Sequence, residues 1–350
     1  MTSEVRAAVA AGQTVPSSWY TDPAVFRKEQ ARILRTGWHY VTDTSRLRAV
    51  GDQVTWDIGG VPIVLVRDAG DDIRGFVNIC RHRAHPVVLE DQCRNTLQCH
   101  YHGWTYALDG SLRNAPRSSE EPSFDPSPLG LQPIQVHVWG PMVWANVSTD
   151  APAFDDDADG LDAHLRSTGC RVEEHELAFG HEWEIACNWK VFQDNTIECY
   201  HCPTTHPEFS RAIVQDPERQ LLGIGGPNWI HHALPFRDDA SRWYHFCWLL
   251  PGTYLQHTGR GFDVGTVEII DVDRLHLRHI GFAPATDTPE QIARAQALLD
   301  ADPTLDQDTE ICRLVQRSHD AGVAPPGRLL AGRELLLTHL YRRIVEMMEH

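Results

Sequence analysis

The sequence lacks several features that would place it in common protein classes. It has no apolar run near the ~18 residues that cross a bilayer, and its start, MTSEVRAAVAAGQT, has no apolar signal core. Basic residues are few, since 31 Lys and Arg oppose 48 Asp and Glu, a formal net charge of −17. Such a charge repels nucleic acid and anionic membranes. We therefore expect a cytoplasmic protein that binds neither.

A disulfide framework and a nucleotide-binding fingerprint are missing too. The nine cysteines are an odd number without regular spacing, and Gly223, Gly225 and Gly226 have no strand-then-helix context. Histidine, in contrast, is abundant at 20 residues. Reduced thiols with many imidazoles favour metal chemistry over disulfides.

Local patterns predict an α+β protein of four segments. These are an N-terminal helical segment packing on the catalytic domain (1–40), an all-β domain (41–147), an acidic surface linker (148–160) and a domain of strands and helices (161–350). Helices are predicted from Trp189 to about His201, after the capping box at Thr288, after Thr304, and from Leu330 to the end.

The all-β segment contains one Cys-x-His and one Cys-x-x-His. Cys80 and His82 lie in NICRHRAH, and Cys99 and His102 lie in CHYHGWTY. A structural zinc finger expects two Cys in one knuckle and two His in the other. One of each per knuckle fits a [2Fe–2S] cluster better, with two thiolates on one iron and two imidazoles on the other. Zinc, or no metal at all, is the alternative.

A second candidate metal site follows Trp189. On the predicted helix, Asp194, Glu198 and His201 share one face at i, i+4 and i+7. His206 would point elsewhere on a continuous helix, but Pro203 disfavours helix and lets the chain turn back.

Asp308 is the distant candidate, because it shares the apolar face of its predicted helix. A buried carboxylate needs compensation, and with two imidazoles it would form the facial triad of non-haem Fe(II) enzymes. Pairing with Arg313 or Arg317 is the alternative. Cys199 and Cys202, a Cys-x-x-Cys, are interpreted as packing residues or as neighbours of the metal ligands that do not bind the metal themselves.

These motifs resemble those of Rieske non-haem iron oxygenases over nearly the whole chain. Residues 51–117, including Cys80-Arg81-His82-Arg83 and Cys99-His100-Tyr101-His102-Gly103-Trp104, resemble the Rieske domain. Asn188-Trp189-Lys190, Glu198-x-Tyr200-His201 with His206, and Gln307-Asp308 resemble the catalytic domain. His100 departs from the family, which usually has Pro there, and this puts the hydrogen bonding of the cluster in doubt.

The resemblance implies a fold and a set of roles. It implies a Rieske domain and a helix-grip (StAR-related, Bet v1-like) catalytic domain with an antiparallel sheet. It makes Cys80, His82, Cys99 and His102 the ligands of the [2Fe–2S] cluster, and His201, His206 and Asp308 the ligands of a mononuclear non-haem Fe(II). Glu198 would link the cluster of one subunit to the iron of its neighbour in a homotrimer, with Asp194 in support.

The implied activity is that of the terminal oxygenase, which hydroxylates or oxidatively demethylates a small molecule with O2. Electrons would come from an NAD(P)H-dependent reductase or a ferredoxin, since the chain has no flavin or nicotinamide motif. Such an acidic donor would dock near Arg81, Arg83 and Arg94. Alternatives are an electron-transfer protein without oxygenase activity and a zinc-binding interaction module.

Glu198 and the number of aromatic residues narrow the expected class of substrate. Glu at position 198 resembles the subgroup that oxidises choline, carnitine or glycine betaine. Aromatic faces bind quaternary ammonium groups, and we expect a pocket lined by Trp229, Tyr244, Phe246, Trp248 and Tyr254. An aromatic acid or other ring substrate is the alternative. The remaining histidines, among them His232 and His279, are interpreted as structural.

Overall fold

The computed structural model describes residues 2–216 and 218–349. The chain divides into two compact units, one built from the residues up to Leu34 and from Pro152 onward, the other from Arg35–Ala151. No helix within the described residues is long and apolar enough to cross a membrane.

Three short helices open the first unit. They are α1 (Thr2–Ala10), α2 (Ser18–Thr21) and α3 (Pro23–Glu29), and a π-helical turn, Gln30–Leu34, follows them. Asp22 caps α3, because its side chain accepts a hydrogen bond from the Ala24 amide and Pro23 follows it.

The unit of residues 35–151 is all-β. Its strands are β1 (His39–Asp43), β2 (Asp52–Ile58), β3 (Val61–Arg67), β4 (Ile73–Val77), β5 (Gln92–Cys93), β6 (Leu97–Gln98), β7 (Thr105–Tyr106), β8 (Leu112–Asn114), β9 (Pro133–Trp139) and β10 (Met142–Asn146). Seven of them form one sheet in the order β1-β10-β9-β4-β3-β2-β5, and β6-β7-β8 form a small second sheet.

The rest of the first unit combines one sheet with helices. Its elements are α4 (Phe154–Asp157), α5 (Leu161–Ser167), β11 (His175–Ile185), α6 (Trp189–Thr196), α7 (Cys202–Thr205), α8 (Pro207–Ala212), β12 (Leu221–Ile224), β13 (Trp229–Pro235), β14 (Trp243–Leu249), β15 (Thr253–His257), β16 (Phe262–Asp271), β17 (Arg274–Pro284), α9 (Pro289–Asp300), α10 (Thr304–Asp320) and α11 (Leu335–Glu349). The seven strands are antiparallel in the order β11-β17-β16-β15-β14-β13-β12.

One face of this sheet and the helices share a hydrophobic core. Phe246, Trp248 and Tyr254 from the sheet belong to the same buried cluster as Leu340 and Ile344 of α11. Since alternate strand residues point to opposite faces, these three aromatic side chains lie on the helix side. The chain is therefore α+β, as the sequence predicts.

Several predicted element limits are wrong. Helix α6 ends at Thr196 rather than near His201, and α11 begins at Leu335 rather than Leu330. The acidic segment 148–160 contains helix α4, whose Phe154 is buried, so it is not a purely exposed surface linker. The capping box at Thr288 and Gln291 is confirmed.

A buried ion pair ties α3 to α6. The Lys190 ammonium lies 2.6 Å from Glu29 Oε1, and both side chains are fully buried. The Trp189 indole donates to Glu29 Oε2 over 2.9 Å. Burial raises the pKa of Glu29 and lowers that of Lys190, so each charge depends on its partner.

We predict that Lys190→Met destabilises the first unit by about 3–5 kcal/mol, because it leaves a carboxylate buried without its partner. Adding Glu29→Gln removes that charge and keeps the acceptor for Trp189, so the double variant recovers most of the loss. Urea unfolding followed by far-UV circular dichroism measures both. A double variant no more stable than Lys190→Met would contradict this account of the pair.

Candidate metal centres and substrate cavity

Two loops of the all-β unit share one backbone pattern. Cys80 N–H donates to the His85 carbonyl and Ala84 N–H donates to the Cys80 carbonyl; Cys99, Trp104 and Gly103 repeat the pattern at distances of 2.9–3.0 Å. Both Ala84 (φ 59°) and Gly103 (φ 73°) adopt left-handed backbone. Glycine adopts this conformation freely, whereas alanine pays about 1 kcal/mol.

The loops place two thiols inside and two imidazoles outside. Cys80 and Cys99 are 3% and 2% exposed, and burial together with the neighbouring Cys80 thiol raises the pKa of Cys99. His82 and His102 are exposed, with ring centroids 4.6 Å apart. This separation fits a [2Fe–2S] cluster whose thiolate-bound iron is buried and whose imidazole-bound iron faces outward.

Tyr106 contacts the inner half of this site. Its hydroxyl lies 3.3 Å from Cys80 Sγ and accepts a 2.9 Å hydrogen bond from the Arg81 amide. The hydroxyl is therefore directed to donate towards the sulfur. Sequence reasoning did not assign Tyr106 a role, although it follows the second ligand pair within the same strand-forming motif.

The outer surface of the two loops is basic and aromatic. Arg81, Arg83 and Arg94 are exposed, as are Tyr101 and His100. The Arg83 guanidinium lies 5.2 Å from the centre of the Tyr101 ring.

In the first unit, a turn brings two histidines together. After α6 the chain turns without helix through Glu198, and α7 starts at Cys202 with Pro203 in its first turn. His201 lies just before α7 and His206 between α7 and α8. Their Nε2 atoms are 3.1 Å apart.

Asp308 of α10 completes a triangle of candidate ligand atoms. Its Oδ1 lies 3.0 Å from His206 Nε2 and 3.4 Å from His201 Nε2. Arg313, one of the two arginines expected as alternative partners of Asp308, pairs instead with Glu310 at 2.7 Å. Two imidazole nitrogens and one carboxylate oxygen this close together fit the three ligands of a facial metal triad.

The outer nitrogens of both imidazoles are fixed by acceptors. His201 Nδ1 donates to Glu198 Oε1 over 2.6 Å, and His206 Nδ1 donates to Gln307 Oε1 over 2.7 Å. A proton on Nδ1 leaves the lone pair of a neutral imidazole on Nε2, the atom that faces Asp308. Gln307 had been noticed only as part of the motif before Asp308.

The electrostatic environment between His201, His206 and Asp308 favours a positive charge. Burial lowers the pKa of His201, but hydrogen bonds with Asp308, Cys202 and Glu198 outweigh it and raise the pKa to about 12. Burial likewise opposes ionisation of Asp308, but the two imidazoles hold the pKa of that carboxyl below its usual value. A divalent cation bound between these residues would supply that positive charge.

Cys202 is an alternative ligand that the sequence marks only as a packing residue or a neighbour of the ligands. Its Sγ lies 3.9 Å from His201 Nε2, and His201, Cys202 and His206 present ligand atoms within 4.8 Å of one another. The neighbouring Cys199 thiol, together with burial, raises the pKa of Cys202. Because only a thiolate binds metal well, the ionised Asp308 is the better third ligand.

Asp194 does not support this site in the way the predicted helix implies. Because α6 ends at Thr196, Asp194 no longer shares a face with His201. Its carboxylate accepts hydrogen bonds from Tyr20 (2.6 Å) and Tyr341 (2.7 Å) instead. Burial raises the pKa of Asp194 to about 7. The two hydrogen bonds of Asp194 join the N- and C-terminal helices to α6.

A cavity of about 290 Å³ opens beside the triad. Of the expected pocket residues, Tyr244, Phe246 and Tyr254 line it. Trp229 and Trp248 do not: the Trp229 indole donates to the Asp159 carbonyl, and Trp248 lies deeper, near Phe192 of α6.

Sequence reasoning missed other walls of the cavity. They include Trp183, Phe209, Phe236, His232 and His279. His232 could have been found from strand alternation, because it shares a face of β13 with the buried Ile230 and Leu234. Phe209 and Phe236 lie outside the periodic strands, so no local pattern marks them.

Two protein families match the chain, one over the region of the predicted cluster and one over the region of the two iron-ligand histidines. The Rieske [2Fe–2S] domain matches residues 37–128, and the catalytic domain of the ring-hydroxylating alpha subunit matches residues 171–245.

Similar proteins and structures agree with these matches. The oxygenase subunit of carnitine monooxygenase from Escherichia coli is 31% identical over 254 residues, which are 70% of this chain and 67% of that protein. Chloroplastic choline monooxygenase from Beta vulgaris is 34% identical over 208 residues, 58% of this chain and 46% of that protein.

A crystal structure of a quaternary ammonium Rieske monooxygenase with an inhibitor has a TM-score of 0.83, 25% identity and 95% coverage of both chains. Naphthalene 1,2-dioxygenase from Rhodococcus sp., at 17% identity and a TM-score of 0.80 with 98% coverage of both chains, shares the fold. The family resemblance is thus confirmed: the chain belongs to the Rieske non-haem iron oxygenases, O2-dependent oxidoreductases, as an oxygenase (alpha) subunit with a [2Fe–2S] cluster and a non-haem iron.

Proposed function

We propose that this chain is the terminal oxygenase of a system that oxidises a small quaternary ammonium compound. The observation that carries the proposal is the convergence of His201, His206 and Asp308, within 3.4 Å of one another, on a cavity with aromatic walls. The carnitine and choline monooxygenases among the relatives support the substrate class.

The overall reaction balances as a monooxygenation. A substrate C–H bond becomes C–OH while O2, two electrons and two protons yield one water, and NAD(P)H supplies the electrons through a reductase. Iron held by His201, His206 and Asp308 would supply the O2 activation. Glu198 and Gln307 keep both imidazoles in the ligating tautomer.

The aromatic walls would orient the substrate. Phe209 and Tyr244 meet edge to face at 5.5 Å and form a corner of two ring surfaces beside the triad. A desolvated ammonium gains up to ~2 kcal/mol at such surfaces.

Electrons would enter at the exposed imidazole side of the cluster. Oxygenase subunits of this family work with a reductase and form multimers. We propose a homotrimer in which Glu198, bonded to His201, receives electrons from His102 of the neighbouring subunit's cluster. The exposed Arg81, Arg83 and Arg94 would speed encounter with an acidic reductase or ferredoxin. Nine cysteines without a disulfide support a cytoplasmic location.

The function is tested by reductase-coupled O2 uptake with product identification, using quaternary amines and aromatic acids as substrates. We expect uptake coupled to formation of a hydroxylated or demethylated product from at least one quaternary amine. Coupled turnover of aromatic acids alone would contradict the proposal.

The iron ligands are tested by Asp308→Ala. We expect loss of the mononuclear iron with retention of the cluster's visible absorption, because a facial triad with two ligands binds Fe(II) weakly. Iron and acid-labile sulfide analysis measures both centres. Glu310→Ala on the same helix and Cys202→Ala in the cavity are the controls, and both should keep the iron. Iron loss from Cys202→Ala but not from Asp308→Ala would show that the third ligand is the thiol.

The contact of Tyr106 with Cys80 predicts a redox effect. Reduction adds negative charge to the cluster, and a donor to a ligating sulfur stabilises it. Loss of a hydrogen bond worth ~1 kcal/mol corresponds to about 40 mV for one electron. We expect Tyr106→Phe to lower the midpoint potential by that amount in a potentiometric titration. Tyr101→Phe, in the loop that carries Cys99 and His102, should leave the potential unchanged; equal shifts in both variants would refute the assignment.

A further inference from the structure

We propose that Tyr254 is a redox-active tyrosine, which gives an electron to the iron site and its hydroxyl proton to His279 when O2 is reduced without substrate. This role requires the iron held by His201, His206 and Asp308, but not the substrate class proposed above. It differs from the proposed function, because no substrate bond is oxidised in such a turnover.

Turnover without substrate leaves the reduction of O2 short of electrons. Reduction of O2 to two waters takes four electrons, and in the coupled reaction a substrate C–H bond supplies two of them. When no substrate is bound, the missing electrons are taken from side chains at the cavity. The thiols of Cys199 and Cys202 line that cavity, and their oxidation beyond sulfenic acid is irreversible. A side chain that can be re-reduced would protect them.

Tyr254 is placed to supply such an electron. Its side chain is buried and lines the cavity that contains the triad, and its hydroxyl lies 2.8 Å from His279 Nδ1. Burial, then the charges of Asp263 and Asp308, raise the pKa of Tyr254, so the phenol lies close to an iron ligand. Removing an electron leaves positive charge on the phenol and lowers the pKa of its hydroxyl. The electron therefore leaves readily only where a base receives the proton.

His279 is a suitable base for that proton. Its side chain is buried, and burial lowers its pKa, so the ring is neutral. Nε2 faces Asp263 Oδ1 at 3.8 Å, and a proton on Nε2 leaves Nδ1 as the acceptor for the Tyr254 hydroxyl. The charges of Asp263 and Asp302 favour the imidazolium, whereas that of His181 opposes it. Once the proton arrives, two carboxylates stabilise the positive ring.

Gly265 makes the contact between the two side chains possible. Strands β15, β16 and β17 pair so that Tyr254 lies opposite Gly265, and Gly265 lies opposite His279. A Cβ at position 265 would lie 2.0 Å from two carbons of the Tyr254 ring and 2.5 Å from its hydroxyl oxygen. The ring thus crosses the backbone of β16 to reach β17, and any larger residue at position 265 would displace it.

Tyr244, on the same wall, has a partner of a different kind. Its hydroxyl donates to Gln256 Oε1 over 2.8 Å, and Gln256 donates to Asp263 Oδ2 over 3.3 Å. A side-chain amide accepts hydrogen bonds but does not take up a proton near neutral pH. Oxidation of Tyr244 would leave its proton without a base, so the same oxidant favours Tyr254.

The step balances in electrons and protons. Tyr254 loses one electron to the iron site, its O–H bond breaks, and the proton stays on His279 Nδ1 as the imidazolium. An electron from the reductase then reduces the tyrosyl radical, and His279 returns the proton. Two such cycles supply the two electrons that the substrate would have given, while solvent supplies the protons of the two waters.

The test detects the radical directly. The oxidised, iron-loaded protein is mixed with hydrogen peroxide without substrate, frozen and examined by electron paramagnetic resonance, and ring-deuterated tyrosine identifies a tyrosyl signal by its narrowed hyperfine pattern. We expect the signal in the unmodified protein, its loss in Tyr254→Phe and its retention in Tyr244→Phe. Retention in Tyr254→Phe, loss in both variants, or a signal unaffected by the deuterium would overturn the proposal.

Two further variants test the proton acceptor in the same experiment. His279→Gln keeps a hydrogen-bond acceptor but removes the base, and Gly265→Ala keeps both side chains but separates them. We expect both to lose most of the signal while they keep their iron content and far-UV circular dichroism. Gly332→Ala, where an added Cβ meets nothing within 4 Å, should keep the signal. A full signal in His279→Gln would overturn the role of His279.

The protective effect is tested with reductase and O2 in the absence of substrate. We expect Tyr254→Phe to lose activity several-fold faster than the unmodified protein, with oxidised Cys199 and Cys202 found by mass spectrometry. Equal rates of inactivation would overturn this protective role. Coupled turnover of aromatic acids alone would contradict the proposed function and leave the redox role of Tyr254 standing, so the two fail separately.

Discussion

The site depends on one buried carboxylate and its two imidazoles. Asp308 lies on the inner face of α10, where an unpaired charge is costly, and the Nε2 atoms of His201 and His206 are within 3.4 Å of its Oδ1. These three groups come from a turn and a helix about a hundred residues apart along the chain. Their convergence fixes where α10 must lie against the residues that follow α6.

The surrounding packing holds α10 and α6 in that relation. Gln316, two turns after Asp308 on α10, accepts a 2.8 Å hydrogen bond from the amide of Asn188, the residue that caps α6. The buried pair of Glu29 and Lys190 anchors the same helix to α3. Asp194, with its two tyrosine donors, adds a third tie to the terminal helices. A catalytic geometry that tolerates little displacement is thus built on a rigid helix pair.

Short-range signals predicted the chemistry better than the geometry. The Cys-x-His and Cys-x-x-His spacings, the His201 and His206 pair and the amphipathic position of Asp308 are all visible in the sequence. The predicted end of α6 is five residues too late, because residues 197–202 contain no Gly or Pro and so no strong helix breaker precedes Pro203. Trp248 was predicted to line the pocket and His232 to be structural, but the structure shows the opposite. Strand alternation predicts which face of the sheet a side chain lies on, but not how far that side chain lies from the cavity. That distance is set by α6 and α11, which no pattern within β13 or β14 encodes.

The central claim is that His201, His206 and Asp308 hold one metal ion while Cys80, His82, Cys99 and His102 hold a cluster in the other unit. Anomalous diffraction from crystals of the iron-loaded protein, recorded on both sides of the iron edge, tests it most directly. The account predicts one iron peak equidistant from the two Nε2 atoms and Asp308 Oδ1, and an elongated peak between the four cluster ligands. A peak bound to Cys202 Sγ instead of Asp308, or scattering that does not change at the iron edge, would contradict it.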